Sequence, residues 1–263
     1  MLLGRRTFLG AASAASLVAA PPSGLRWIAH RGGVVDKRYS ENSPASLEAA
    51  VRAGYWMIES DIRETKDGRI ITHHDPDFER FYGDGRKVAD LTFAEVRRLR
   101  AQPGGTAPMT FAELVDACQG RLRLMLDTKE PAHAAAFYRE MERELRRGDL
   151  LRSAYVIGTE ESRQYFHGKA KVGVTFARLR EAVGAREKVG ELYFLFEWGK
   201  TLTAEQVRFA QGQGVTVVPS VNTFHHGSDM EESLRAGAAD IRRLRPMGVT
   251  EFQIDSVYEA AFA

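Results

Sequence analysis

Two rhythms of apolar and polar positions alternate along the chain. Short runs rich in β-branched and aromatic residues recur at 25–29, 56–62, 122–127, 153–157, 171–175, 192–196, 215–219 and 251–254, and each reads as a strand. Between them the apolar residues follow helical spacing. Ser43 before Pro44 predicts a helix over 44–53, with a serine N-cap and proline at its first position. Thr92 with Glu95, Thr110 with Glu113 and Thr203 with Gln206 match the reciprocal capping pattern of a helix start. Residues 132–147 read as a long amphipathic helix that stops near Gly148. Eight strands alternating with helices predict an α/β fold with a parallel sheet. The count favours a TIM (β/α)8 barrel over a doubly wound open sheet. No glycine-rich nucleotide signature follows the first strand, so nucleotide binding has no motif behind it.

Residues 57–75, MIESDIRETKDGRIITHHD, carry more charge than strands of a packed core should. Two extended runs meet at Lys66-Asp67-Gly68, a tight-turn signal, which makes 69–73 an accessory hairpin strand. Residues 76–109 then break the strand–helix rhythm with Gly83-Asp84-Gly85, one short helix and Pro103-Gly104-Gly105. They read as a small insertion covering one barrel end.

Active sites of such barrels form at the C-terminal strand ends. There the first strand reaches His30-Arg31-Gly32-Gly33, the second carries Glu59 and Asp61, the hairpin ends at His74, and the next main strand ends Asp127-Thr128-Lys129. Residues two apart share one face of a strand, which pairs Glu59 with Asp61 and Asp127 with Lys129. Three carboxylates in one mouth repel each other unless a cation sits among them, so Glu59, Asp61 and Asp127 are candidate ligands of a hard divalent ion. Arg31 and Lys129 remain as fixed positive charges suited to a phosphate. His30 and His74 remain as groups that exchange protons near neutral pH. His73 falls on the opposite face as a structural neighbour. The combination suits metal-assisted phosphoryl transfer.

These residues, in the order IAHRGG…ENSPASLEAAVRAG…IESDIRETKDGRIITHHD, closely resemble the glycerophosphodiester phosphodiesterases. The match is dense over 28–75, continues at ADLTFAEVRRL and MTFAELVDAC, thins at 124–129, and is weak beyond 150. The resemblance implies a TIM barrel that hydrolyses glycerophosphodiesters to sn-glycerol 3-phosphate and an alcohol, with bound Ca²⁺ or Mg²⁺. By position it makes His30 and His74 the acid/base pair, Arg31 and Lys129 the phosphate cations, and Glu59, Asp61 and Asp127 the metal ligands. Glu41 and Asn42 match the family's E-N and would support the metal site. Three places depart from the family pattern. Asp127 stands where Glu is usual; Pro219, Ser220 and Asn222 replace a Trp before T-x-N; and Ile254-Asp255-Ser256-Val257 replaces T-D-x-P. The last two bear on the leaving group. The Asp-x-Lys form resembles a phospholipase D-like branch acting on lysophospholipid or sphingomyelin, whereas His74-Asp75 and the lack of a cysteine pair favour the first reading. A phosphodiester-binding protein without turnover is the third. His225-His226, Trp198, Glu197 and Tyr39 lie at strand ends or loops near the expected mouth.

Composition changes this picture in few places. The chain has 263 residues and a formal net charge of +2, with no basic block of the kind that binds nucleic acid. Residues 1–20 combine Arg5-Arg6 with a short Ala/Leu/Phe run before Pro21-Pro22, too short for a stable membrane span. They resemble a twin-arginine signal, which implies the twin-arginine export machinery and a periplasmic or secreted product. Residues 21–263 are then a single domain with 35 basic against 35 acidic residues. Cys118 is the only cysteine and lies in an apolar pattern, which predicts burial rather than catalysis.

Overall fold

A computed structural model describes Pro22 and residues 24–262; the signal-like segment over 1–20 lies outside the described residues. The strands are β1 (Arg26–Ala29), β2 (Met57–Glu64), β3 (Ile70–Thr72), β4 (Asp77–Phe78), β5 (Asp84–Lys87), β6 (Arg123–Thr128), β7 (Tyr155–Val156), β8 (Lys171–Val174), β9 (Tyr193–Trp198), β10 (Thr216–Val221) and β11 (Glu251–Ile254). Eight of them lie in parallel in the order β1-β11-β10-β9-β8-β7-β6-β2, and β2 pairs back onto β1 to close the barrel. The eight apolar runs of the sequence are these eight strands. β3 folds back antiparallel on β2 through the turn at Gly68, whose φ is +78°.

Helices α1 (Pro44–Arg52), α2 (Glu79–Tyr82), α3 (Phe93–Val96), α4 (Phe111–Cys118), α5 (Ala135–Arg147), α6 (Glu160–Phe166), α7 (Phe176–Gly184), α8 (Val189–Leu192), α9 (Ala204–Gly212) and α10 (Met230–Leu244) connect the strands. Their starts are chemically specified. Ser43 and Ser46 cap each other at α1, and the Thr92/Glu95, Thr110/Glu113 and Thr203/Gln206 boxes form at α3, α4 and α9. α5 begins three residues later than periodicity predicts, because Ala132 takes a left-handed φ of +64° after Pro131. Between β3 and α4, the small β4–β5 sheet, α2 and α3 bury Phe78, Val88, Leu91 and Val96 against Ile71. No helix among the described residues is long and apolar enough to cross a membrane. Cys118 is buried in the main core, where burial pushes its thiol up to about 12.

Alternation along the strands divides the chemistry. Ile28, Met57, Met125, Tyr155, Phe194 and Val218 pack together from six strands as the apolar floor of the barrel interior. Stepping two residues up from that floor leads from Ile28 to His30, from Met57 to Glu59 and Asp61, and from Met125 to Asp127 and Lys129. The intervening Ile58, Ile62, Leu124 and Leu126 face the helical layer.

The turn after β1 tolerates no side chain at one position. Gly33 has a φ of +145°, and a Cβ there would lie 2.3 Å from the Ser46 carbonyl. Gly33→Ala is expected to cost at least about 2 kcal/mol of unfolding free energy in urea titrations. Gly184→Ala, in a helix with open space around it, is expected to be neutral or to stabilise by up to about 1 kcal/mol. Equal stabilities for the two variants would contradict this account.

Candidate active site

The site is assembled where the interior series rise above the apolar floor. Glu59, Asp61 and Asp127 each offer a carboxylate oxygen, and these oxygens lie within 4.8 Å of one another. Parallel pairing places Asp61 directly beside Asp127. Lys129 reaches back over them, with Nζ 2.7 Å from Asp61 Oδ1 and 2.6 Å from Asp127 Oδ2. One ammonium does not balance three carboxylates. Burial and the neighbouring Asp61 charge raise the Glu59 carboxyl well above its ordinary value. Burial likewise raises Asp127. At Asp61 burial is outweighed by the charges of Lys129 and His74 and by hydrogen bonds from Lys129 and Asn42, which hold it down to about 2. Glu59 Oε1 is buried and has no hydrogen-bond partner, and Asp61 Oδ1, close to Lys129, lacks a bond of good angle. Unpaired buried oxygens with surplus negative charge fit a divalent cation held by these three residues.

The flanking residues fix this trio. Asn42 donates from Nδ2 to Asp61 Oδ2 at 2.7 Å, while its Oδ1 accepts from Ser60 Oγ and the Asp61 amide. Asn42 thus orients Asp61, one of the three candidate ligands. Glu41 faces away from the trio and pairs with Arg31 and Arg80. Arg31 sits in a left-handed turn at φ +59°. That turn delivers its amide to Glu59 Oε2 at 2.7 Å and its guanidinium to Glu41 at 3.0 Å. Glu41, His74 and Asp75 also converge, but their oxygens already accept from Arg31, Arg80 and His74, so they read as an ion-pair network.

Both histidines are anchored in the same way. His74 Nδ1 lies 2.7 Å from Asp75 Oδ1, and His30 Nδ1 lies 2.6 Å from Asp255 Oδ1. Each carboxylate accepts a hydrogen bond from Nδ1–H, which leaves Nε2 as the free nitrogen. Asp255 is held in turn by the amide and hydroxyl of Thr223, at 2.7 and 2.9 Å. Burial pushes the His74 pKa below its ordinary value, against the opposing charge of Asp61 and the bond to Asp75. Sequence reasoning left Asp255 without a role. The strand-end rule applied to β11, with Gln253 and Asp255 on the interior face, contained the signal.

The remaining candidates divide. His73 binds the Asp77 carbonyl at 2.6 Å and stacks on Phe78, a structural role. Glu197 caps α7 by accepting from the Phe176 amide, and Tyr39 packs against the core. His225 stacks on Trp198 and touches Phe224, which in turn lies over His30. Burial and nearby positive charge lower His225 to about 4, so it stays neutral. Phe224, Met230 and Val257 join His30, Arg31 and Asp255 around a cavity of about 310 Å³.

A model of the glycerophosphoryl diester phosphodiesterase family matches residues 30–239. The chain belongs to that family. Human glycerophosphodiester phosphodiesterase 1 is 29% identical over 124 residues, which cover 44% of this chain and 37% of the human protein. The matched part therefore spans little more than a third of that relative. A glycerophosphoryl diester phosphodiesterase from Parabacteroides distasonis superimposes with a TM-score of 0.71 at 19% identity, covering 94% of this chain and 87% of that one. A phosphodiesterase from Oleispira antarctica, solved in complex with the product sn-glycerol-3-phosphate, gives 0.66 at 17% identity over 91% and 97% of the two chains. These likenesses establish the shared barrel.

Adding calcium or magnesium to chelator-stripped protein is expected to raise Tm, by about 2.7 kcal/mol of stabilisation at a hundred times Kd. Glu59→Gln should remove most of that gain. An ion must displace the proton that Glu59 holds above the ordinary carboxylate range, so apparent affinity should weaken as pH falls. A pH-independent affinity, measured calorimetrically, would contradict the site.

Proposed function

We propose that this chain is a metal-dependent phosphoric diester hydrolase that cleaves glycerophosphodiesters to sn-glycerol 3-phosphate and an alcohol. The observation that carries the reading is the pair of histidines, each tied at Nδ1 to its own carboxylate, together with a converging trio of carboxylates of which Glu59 and Asp61 are buried. Arg31 and Lys129 bind the non-bridging phosphoryl oxygens and stabilise the charge that grows there. One histidine takes a proton at Nε2 from the nucleophile, either water, which gives the monoester directly, or the neighbouring glycerol hydroxyl, which gives a cyclic phosphodiester that water then opens with the same pair in reversed roles. The other gives a proton from Nε2 to the departing alkoxide as the phosphorus–oxygen bond breaks. Calcium or magnesium held by Glu59, Asp61 and Asp127 would add Lewis-acid polarisation of the phosphoryl group. Export by the twin-arginine route to a periplasmic or extracellular site belongs to the same proposal and rests on residues 1–20.

A second reading, cleavage of lysophospholipids, is favoured by one feature. Among the described residues, the exposed large apolar side chains are Trp198, Phe224, Met230 and Val257. Trp198 ends β9 and the other three follow β10 or β11, and those three line the cavity beside His30. Such a rim offers contact to a substrate that carries an acyl chain.

His30→Ala and His74→Ala should each lower turnover of glycerophosphocholine by roughly 10²- to 10⁴-fold while keeping the cation-induced rise in Tm. Full activity in either variant would defeat the assignment. Choline release from glycerophosphocholine and from lysophosphatidylcholine, compared in wild type and Phe224→Ser, separates the two substrate readings. Loss confined to the lysolipid supports the second, and equal loss on both supports the first.

A further inference from the structure

Arg80 is the residue outside the proposed chemistry that touches most of it. It lies on α2, in the small substructure between β3 and α4. Its Nε donates to Asp75 Oδ2 at 2.6 Å and its Nη2 to Asp75 Oδ1 at 3.0 Å, a forked contact. The same guanidinium donates to both oxygens of Glu41, from Nη1 at 3.0 Å and from Nη2. Asp75 Oδ1 is the atom that holds His74 Nδ1, and Glu41 Oε2 is the atom that holds Arg31 Nη1. A single planar cation therefore joins the anchor of an imidazole to the anchor of a phosphate-facing guanidinium. The Glu41 side chain is 4% exposed, so that half of the clamp forms where water competes poorly, while Asp75 at 21% and Arg80 at 41% leave the other half more open to solvent.

We infer that Arg80 is a positioning residue: by clamping Asp75 and Glu41 together it fixes the His74 ring and the Arg31 side chain relative to each other. It touches neither substrate nor ion. A general surface ion pair would not need this geometry, because any cation nearby would satisfy two exposed carboxylates. The fork does need it, since the four donor contacts to two carboxylates come from one rigid plane that lysine cannot supply. The substructure carrying α2 is on this account more than a cover. Its own apolar cluster of Ile71, Phe78, Val88, Leu91 and Val96 is the foundation that holds the clamp still.

The inference rests on the roles proposed above for His74 and Arg31, and the test keeps the two apart. The full chain, loaded with calcium or magnesium, is assayed on glycerophosphocholine as wild type, Arg80→Gln, Arg80→Lys, Asp75→Asn and Arg80→Gln/Asp75→Asn. Absence of turnover in wild type sinks the functional reading. With an active wild type, Arg80→Gln should lose roughly 10²-fold in kcat/KM, the scale of a small misplacement of reacting groups. The double variant should be about as slow as the slower single one, because both cut the same link. Arg80→Lys keeps the charge without the fork and should recover only part of the loss. Nitrogen NMR of His74 should show a proton fixed on Nδ1 in wild type and a mixture of tautomers in Arg80→Gln. That readout does not depend on turnover and would not move if Arg80 served stability alone. Wild-type rates in Arg80→Gln, full recovery in Arg80→Lys, additive losses in the double variant, or an unchanged His74 tautomer would each overturn the inference. If Arg80→Gln fails to fold, Arg80→Lys and its His74 spectrum carry the same decision.

Discussion

Three carboxylates are forced together where β2 and β6 emerge from the apolar floor, and most of the surrounding structure answers to that crowding. Buried like charges at this spacing cannot all ionise without compensation. Lys129 supplies one charge, the Asn42 amide and the Arg31 backbone supply oriented dipoles, and Glu59 still holds its proton too firmly. The imbalance makes the end of the barrel receptive to a small hard ion. It also explains why the neighbouring turn after β1 accepts a strained left-handed arginine at its tip. That conformation is the one that turns an amide toward Glu59.

Around this centre the positive groups are not interchangeable. Lys129 lies among the trio itself, whereas Arg31 is drawn aside by Glu41, and Glu41 is drawn aside by Arg80. The two histidines see different surroundings. His74 is flanked by Asp61, Arg31 and Lys129, while His30 opens onto Phe224 and the apolar cavity. The asymmetry gives the mouth a charged side and an apolar side, a division suited to a substrate with a phosphate at one end and a less polar group at the other.

Much of this was legible in the chain, for a physical reason. Strand alternation is strictly local, so Glu59 with Asp61 and Asp127 with Lys129 fall on one face whatever the rest of the fold does. Ser43, Thr92, Thr110 and Thr203 announce helix starts through contacts three residues away. The partners that were missed are of another kind. Asp255 meets His30 across 225 positions of sequence, and Arg80 meets Glu41 across 39. The strand-end rule places Asp255 at the mouth but does not name its partner, and no spacing rule reports on a connection folded over the barrel's end. Asp75, beside His74 in the chain, was in view but carried no role until the ring was oriented. The later start of α5 shows a local signal overridden, since Pro131 and a left-handed Ala132 outweigh the apolar period.

The bond between His30 and Asp255 links the opening strand of the barrel to its closing one, and β1 and β11 are also neighbours in the sheet. The imidazole at the head of the chain therefore stays unoriented until the tail has been made and docked. Intermediates that have built only part of the circle lack this contact and the ring orientation it sets. The His30 ring is fixed in one step, with barrel closure, rather than by degrees as the chain lengthens.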